Sequence, residues 1–133
     1  MKSLSVVAAV IFRTSPQGIN QVFATQRGYG DWKGWWEFPG GKVEEGESPE
    51  AALEREICEE LATQIKVGER ICTIDYDYSA FHLSMECFAC KIVSGKLELI
   101  EHESAVWLTA ETLRSVKWLP ADELILDKIK QML

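Results

Sequence analysis

The sequence lacks any long apolar segment. The apolar stretch within MKSLSVVAAVIF at the N-terminus spans about nine residues, whereas a helix that crosses a membrane needs roughly 20. A secretory signal peptide would also need a small-residue cleavage site after this stretch, and none is evident there. We therefore interpret it as a buried strand, and we expect a cytoplasmic protein with no membrane partner.

Histidine and cysteine are scarce, with two and four copies in 133 residues. Cys87 and Cys90 form one CxxC pair, but the sequence has no second pair that would complete a zinc site. The pair lies in the strand-like run LSMECFACKIV, where residues three apart point to opposite faces. We expect the four cysteines to be reduced thiols with a structural role.

Basic residues are outnumbered, since 14 Lys and Arg face 21 Asp and Glu, which gives a formal net charge of −7. A field of this sign repels nucleic acids and anionic membranes, so a nucleic-acid polymer is not an expected partner. An anionic ligand would need a local change of sign, which a bound cation supplies. The length and the 47% hydrophobic composition predict one globular domain over residues 1–133.

The predicted elements mix strands with helices. Apolar and alternating runs predict strands at 4–12 and 20–27, a hairpin of 69–78 with 82–93, and a short strand at 104–108. ESPEAALEREICEEL predicts a helix with Ser48 as its N-cap and Pro49 at its first position. PADELILDKIKQML predicts a second helix that starts at Pro120 and has apolar residues at helical spacing: Ile125, Ile129, Met132 and Leu133. This order indicates an α/β or α+β fold.

The stretch EREICEELA places three glutamates, Glu56, Glu59 and Glu60, in one sector of the first helix. They flank an apolar stripe formed by Leu53, Ile57 and Leu61. Like charges at this spacing repel by a few tenths of a kcal/mol per pair. The cluster is either a solvated acidic flank or a site for a hard divalent cation, whose binding would offset the repulsion.

The preceding segment, WWEFPGGKVEEGES, favours the cation site. A strand-like WWEF leads into Pro39, Gly40 and Gly41, followed by a loop. Adjacent glycines let the backbone approach a ligand or a metal closely, and Lys42 can place an ammonium on a phosphate. A glycine loop with a lysine, leading into a helix with clustered glutamates, is a stronger indication than either feature alone.

These residues resemble the Nudix box, G-x5-E-x7-R-E-U-x-E-E-x-G-U, where U is aliphatic. Residues 41–63 match every charged position of that pattern, from Gly41 through Glu47 to the run that begins at Arg55. Two positions depart from it, because Ala62 stands for the usual glycine and Thr63 for the aliphatic residue. Both departures concern the geometry at the end of the helix.

The resemblance covers most of the chain and is greatest to the MutT-like and CTP-pyrophosphohydrolase-like subgroup. It implies a Nudix α/β/α sandwich with a mixed β-sheet, and cleavage of nucleoside diphosphates linked to a further moiety. It also implies a Mg²⁺ cofactor, for which Mn²⁺ can substitute, and a nucleoside triphosphate as the substrate. A monomer and a homodimer are both compatible with the sequence.

The resemblance assigns roles to individual residues. The implied metal ligands are the carbonyl of Gly40 and the side chains of Glu56, Glu59, Glu60 and Glu101. Glu101 binds metal or helps to activate water in this reading. Arg55 and Glu47 are expected to orient the catalytic glutamates through an ion pair, while Arg27 and Lys42 are expected to contact phosphate.

The base pocket is less well defined by the sequence. The resemblance places Glu37, Phe38 and Asp122 in its lining. Phe81, Tyr76 and Tyr78 are either candidates for stacking on the base or packing residues of the sheet, and Trp35 is the favoured pocket residue among the tryptophans. Asp122 has an alternative interpretation as a helix N-cap. As a carboxylate it would accept from the exocyclic amine of cytosine, and if protonated it would also donate, which suits oxidised guanine.

The leading hypothesis is therefore a Mg²⁺-dependent nucleoside triphosphate pyrophosphohydrolase. The candidate substrates are CTP, dCTP, 5-methyl-dCTP and 8-oxo-dGTP. One alternative is hydrolysis of another nucleoside diphosphate derivative, such as ADP-ribose or a dinucleoside polyphosphate. The other is a non-catalytic binding module, which the complete set of box glutamates disfavours.

Overall fold

The computed structural model describes residues 2–133 of the chain. Within them the elements are β1 (Lys2–Thr14), β2 (Asn20–Arg27), β3 (Trp36–Glu37), β4 (Gly40–Lys42), α1 (Pro49–Leu61), β5 (Gln64–Asp77), β6 (Phe81–Ser94), β7 (His102–Leu108), α2 (Pro120–Glu123) and α3 (Leu126–Met132). No helix in this part of the chain is both long and apolar enough to cross a bilayer.

The strands form one mixed sheet in the order β3-β2-β1-β6-β5, with β4 paired to β1 and β7 paired to β2. The β1–β6 pair is parallel and the other pairs are antiparallel. The predicted hairpin is β5–β6, although both strands extend beyond the predicted bounds. The mixed sheet implied by the sequence is confirmed.

Helices cover both faces of this sheet. Along β1, Val7, Ala9 and Ile11 belong to the core under α1, whereas Ala8 and Val10 belong to the core under α2 and α3. The alternation follows from the period of two in a strand, because both faces are buried. The fold is an α/β/α sandwich, as expected.

The CxxC pair is split between these two cores. Cys87 packs on the α2–α3 side and Cys90 on the α1 side, and all four cysteines are free thiols. Burial raises the pKa of Cys90 to about 12 and raises that of Cys87 as well, so both remain protonated. The two sulfurs face opposite ways and do not form a chelating pair.

Helix α1 begins and packs as predicted. The Ser48 side chain accepts a hydrogen bond from the Ala51 N–H at 3.1 Å, and Pro49 occupies the first turn. Leu53, Ile57 and Leu61 are fully buried against the sheet. Their burial fixes the rotation of the helix and therefore the direction of its glutamates.

The segment after Pro39 differs from the predicted loop, because it forms the short strand β4 along β1. A Cβ at Gly40 would lie 1.9 Å from the carbonyl oxygen of Val7. Only glycine allows this approach, and the pairing depends on a distant strand that the local sequence does not reveal.

The C-terminal helix also differs from the prediction, since it is broken into α2 and α3. Leu124 N–H and Ile125 N–H bond to carbonyls three residues earlier, at 3.3 and 3.2 Å, which tightens and ends α2. This turn buries Ile125 and Ile129 in the core while Leu124 and Met132 remain exposed.

Candidate active site

A cleft of about 700 Å³ opens on the sheet between α1, α2 and the loop before β7. Acidic residues line one part of it: Glu56, Glu60 and Glu101. Aromatic and apolar residues line another part, which contains Asp122: Trp32, Phe38, Tyr78, Leu83 and Met85. The charge of Glu37 acts on both Glu60 and Asp122, so the two parts meet near that residue.

Arg55 organises the acidic side of α1. Its guanidinium forms two hydrogen bonds with Glu47, at 2.8 and 2.9 Å. Its Nη1 also donates to Glu56 at 3.0 Å and to Glu59 at 3.2 Å. The hydrogen bonds from Arg55 are the main reason that the pKa of Glu47 falls to about 2. The ion pair expected from the sequence is therefore present, and it restrains the Glu56 carboxylate.

Glu56 lies directly against the backbone of β4. A Cβ at Gly41 would stand 2.3 Å from the Glu56 carboxyl carbon, so any larger residue would displace that carboxylate. The second glycine of the pair thus makes room for a functional side chain, whereas Gly40 makes room for strand pairing.

One carboxyl oxygen of Glu60 is buried without a hydrogen-bond partner in the described part of the chain. Its side chain is 12% exposed, and its Oε2 atom has no partner among residues 2–133. Burial first, and then the charges of Glu56 and Glu101, raise its pKa to about 9. The nearest basic group is His102, whose Nε2 lies 4.0 Å from Glu60 Oε2 and whose own pKa is lowered by burial. Without a ligand, this carboxyl group holds a proton at neutral pH.

These properties fit a divalent cation. No three acidic, histidine or cysteine side chains within residues 2–133 form a complete metal site by themselves. Mg²⁺ does not need one, because it usually binds one or two carboxylates and keeps water and substrate phosphate as its other ligands. The unpartnered oxygen of Glu60, next to Glu56, is a donor set that such a cation would complete.

Glu59 is placed apart from the other two box glutamates. Its side chain is 57% exposed, compared with 16% for Glu56, and it does not line the cleft. It is held instead by Arg55 on the outer side of the helix. The three glutamates therefore do not share one narrow sector, as the helical spacing alone had indicated.

The two residues expected to contact phosphate differ in their surroundings. Arg27 forms two hydrogen bonds with Glu37, at 2.9 and 2.7 Å, so a predicted phosphate ligand and a predicted base ligand bind each other. Burial lowers the pKa of Arg27, but Glu37 raises it by more. Lys42 is exposed at the cleft and forms no ion pair within residues 2–133.

Asp122 lies in the aromatic part of the cleft and is only 4% exposed. Its Oδ2 accepts a hydrogen bond from the Phe38 N–H at 2.9 Å. Burial first, and then the charge of Glu37, raise its pKa to about 8. The interpretation of Asp122 as a helix cap is wrong, because Leu119 is the N-cap of α2 and no side chain caps that helix.

The aromatic lining differs in part from the predicted one, which included Tyr78 and Phe38 but not Trp32. Trp32 and Tyr78 line the cleft, with their rings 5.5 Å apart, and Tyr78 Oη accepts from the Ala121 N–H at 3.2 Å. Trp35 packs edge-on behind Trp32, and Phe81 stacks behind Tyr78, so neither ring forms part of the lining. Both support the residues that do.

Sequence reasoning missed His102 and Trp32. His102 directly follows Glu101 at the start of β7, so its position beside a predicted ligand was the available indication. Trp32 lies in an irregular segment between β2 and β3, and no local pattern distinguishes it from its two neighbouring tryptophans.

Comparison with known proteins gives a consistent result. A model of the NUDIX domain matches residues 3–132 of the chain. The chain is 35% identical over 123 residues to a CTP pyrophosphohydrolase of Escherichia coli (strain K12). This alignment covers 92% of this chain and 87% of that protein. It is 26% identical over 133 residues to an 8-oxo-dGTP diphosphatase of the same strain, in an alignment that covers 99% of this chain and all of that protein.

A solved structure shares the architecture over nearly the whole chain. The crystal structure of a MutT NUDIX hydrolase from Burkholderia pseudomallei matches with a TM-score of 0.84 at 25% identity. The match covers 97% of this chain and 99% of that one. The mixed sheet between helices is thus the same in both proteins.

Proposed function

Because the chain belongs to the NUDIX family, we propose that it hydrolyses nucleoside triphosphates to a nucleoside monophosphate and pyrophosphate, using a divalent cation. The observation that carries the proposal is Glu60, whose buried carboxyl oxygen has no partner in a cleft of about 700 Å³. A carboxyl group in this position is unfavourable for an empty fold but suits a cation and its phosphate ligand.

Glu56, Glu60 and Glu101 would hold the cation, with the Gly40 carbonyl as a further ligand, because all four residues line the same cleft. Glu59 would join them only by leaving Arg55. The cation, Mg²⁺ or Mn²⁺, would neutralise phosphate charge and lower the pKa of water in the site.

The residues of the chain would then serve the hydrolysis in separate ways. Water adds to a phosphorus atom while the P–O bond between the α- and β-phosphates breaks, so a proton must leave the attacking water. Glu101, exposed at the cleft, would serve as a cation ligand or help to activate that water. Neither Arg55 nor Glu47 lines the cleft, so they would not contact the substrate. They would instead hold Glu56 in place through the hydrogen bonds of Arg55.

Arg27 and Lys42 would contact the phosphates. Arg27 uses Nε and Nη2 for Glu37, and its Nη1 forms no hydrogen bond within residues 2–133. The guanidinium is therefore fixed in direction and retains donors for an oxyanion. Lys42, at the end of β4, adds a second positive charge beside the glutamates.

Asp122 would read the base from the aromatic part of the cleft. With a pKa of about 8 it is mainly protonated at pH 7, so it both donates and accepts hydrogen bonds. That combination suits the N4 amine and N3 of cytosine, and it also suits oxidised guanine. The backbone N–H of Phe38 would hold Asp122 in place, and Glu37 would line the pocket beside it. Trp32 and Tyr78 would stack on the base, with Phe81 packed against Tyr78.

A nucleotide panel tests this proposal. The wild-type protein is given Mg²⁺ and CTP, dCTP, 5-methyl-dCTP, 8-oxo-dGTP, ADP-ribose or a dinucleoside tetraphosphate, and pyrophosphate and monophosphate products are measured. We expect pyrophosphate release from a cytosine or oxidised nucleotide, and its loss in a Glu56→Gln/Glu60→Gln variant. Hydrolysis of only the last two substrates, or of none, would refute the assignment.

A further inference from the structure

The two residues that depart from the Nudix box lie at the junction between α1 and the loop of residues 95–101. Ala62 ends α1 in a left-handed conformation, with φ 49° and ψ 40°, and so adopts the backbone of the usual glycine. Thr63, in place of an aliphatic residue, is 1% exposed. A buried hydroxyl group needs a hydrogen-bond partner, and the partners of Thr63 reveal what it holds.

Thr63 joins the helix end to the loop through its hydroxyl group. The Thr63 Oγ1 accepts from the Leu97 N–H at 2.8 Å and donates to the Leu61 carbonyl at 2.9 Å. The Glu98 N–H also bonds to the Leu61 carbonyl, and the Ile100 N–H bonds to the Glu60 carbonyl. The loop is thus attached to the last turn of α1 up to the residue before Glu101.

Backbone strain is concentrated at the same junction. Within residues 2–133, the non-glycine residues with positive φ are Ala62 and Leu97, at 49° and 55°. Leu97 is the residue whose N–H bonds to Thr63. A Cβ at Gly95 would lie 2.8 Å from the Ala62 carbonyl, so the loop approaches the helix as closely as glycine allows. Strained residues persist where surrounding contacts hold them, and here those contacts fix a loop that carries a cleft residue.

We infer that Thr63 is a positioning residue, whose hydroxyl group attaches the 95–101 loop to α1 and so sets Glu101 beside Glu60. The inference rests on the proposed function, in which Glu101 serves the reaction. An aliphatic residue at this position would leave the Leu97 N–H without that bond. In this chain the Thr63 hydroxyl group therefore attaches the 95–101 loop by a hydrogen bond, which the aliphatic residue of the box pattern cannot form.

The test compares Thr63→Val, which removes the hydroxyl group at nearly constant volume, with Thr63→Ser, which keeps it. Loss of the bond should speed hydrogen exchange of the Leu97 amide by about 5- to 150-fold, because an unpartnered amide loses that much protection. The matched control is Thr112→Val, which removes a hydroxyl that accepts from the Thr109 N–H at 2.8 Å, outside the cleft. That control should leave Leu97 exchange and turnover unchanged.

Measurements of turnover distinguish a role of Thr63 in positioning Glu101 from a role in packing alone. We expect Thr63→Val to lower kcat by about 5-fold or more with little change in KM, and Thr63→Ser to restore it. In a Glu101→Gln background, Thr63→Val should have no further effect on kcat or on Mn²⁺ binding followed by electron paramagnetic resonance. Unchanged kcat in Thr63→Val, or an equal loss in both backgrounds, would overturn the inference.

Two further results keep the inference distinct from the proposed function. If Thr63→Val does not fold, Gly95→Ala disturbs the same junction from the loop side and should give the same non-additive pattern with Glu101→Gln. An additive pattern there would also overturn the inference. A wild-type protein that hydrolyses no nucleotide would instead refute the proposed function, which is tested before any variant is compared.

Discussion

The raised pKa of Asp122 predicts that base selectivity changes with pH. A protonated carboxyl group can both donate and accept, so it pairs with the edge of cytosine or of uracil. An ionised carboxylate accepts from the N4 amine of cytosine, but uracil presents a carbonyl at that position with no proton between the two oxygens. Preference for CTP over UTP should therefore appear as Asp122 ionises.

The size of the effect follows from the pKa. With a value of about 8, about 3% of Asp122 is ionised at pH 6.5 and about three quarters at pH 8.5. An unpaired buried polar contact costs about 1–3 kcal/mol, which corresponds to about 5- to 150-fold against uracil in the ionised form. Weighting the two forms, the CTP/UTP ratio of kcat/KM should rise by about 2.5- to 4-fold between these pH values.

The assay is kcat/KM for CTP and UTP at several pH values, in the wild type and in Asp122→Asn. A ratio at one pH cancels the titration of groups that act equally on both substrates. Asparagine donates and accepts at every pH, so its ratio should stay constant. A flat wild-type ratio, or an equal rise in the Asn variant, would show that the base is read elsewhere.

Three other predictions concern the box residues. Metal-free wild-type protein should become less stable as pH rises from about 5 to 9, because the native state keeps a proton on Glu60 that the unfolded state releases. Glu60→Gln should reduce this pH dependence in chemical denaturation, and an unchanged dependence would contradict the assignment. Glu56→Gln should lower turnover by about 100-fold or more and abolish the rise in Tm caused by Mg²⁺. Glu59→Gln should lower turnover by less than about 10-fold, because its side chain is exposed outside the cleft. Equal losses of turnover in the two variants would contradict the different placement of the two side chains. Ala62→Gly should stabilise the protein by about 0.5–1 kcal/mol with unchanged activity, since it relieves a positive φ, and destabilisation would show that the strain is not local.

Features set by nearby residues could be predicted from the sequence. Ser48 caps α1 through a bond to Ala51, three residues away, and the buried stripe that includes Ile57 follows from the helical period. The Arg55–Glu47 pair lies eight residues apart in one loop and helix. In each case the physical cause lies within a few turns of chain.

Features set by distant contacts could not be predicted in this way. Strand β4 forms because Gly40 fits against Val7, and α2 ends early because Ile125 turns into the core. Asp122 looked like a possible cap because its neighbours are helix-forming, yet its partner is Phe38, 84 residues away. The difference between Glu56 and Glu59 likewise depends on the packing of Glu56 against Gly41 of β4, which helical spacing alone does not give.

The charges around the cleft explain why a protein with a net charge of −7 would need a cation to bind a triphosphate. Arg55 is occupied by carboxylates, and Arg27 is paired with Glu37. Two other basic side chains line the cleft within residues 2–133, and burial lowers the pKa of one of them, His102, which leaves Lys42 as the unpaired cation. Glu60 avoids adding a further negative charge only by holding a proton. Since the basic groups already balance carboxylates, a divalent cation would supply the positive charge that the phosphates need. By taking the place of the proton on Glu60, it would turn an unfavourable buried group into a ligand.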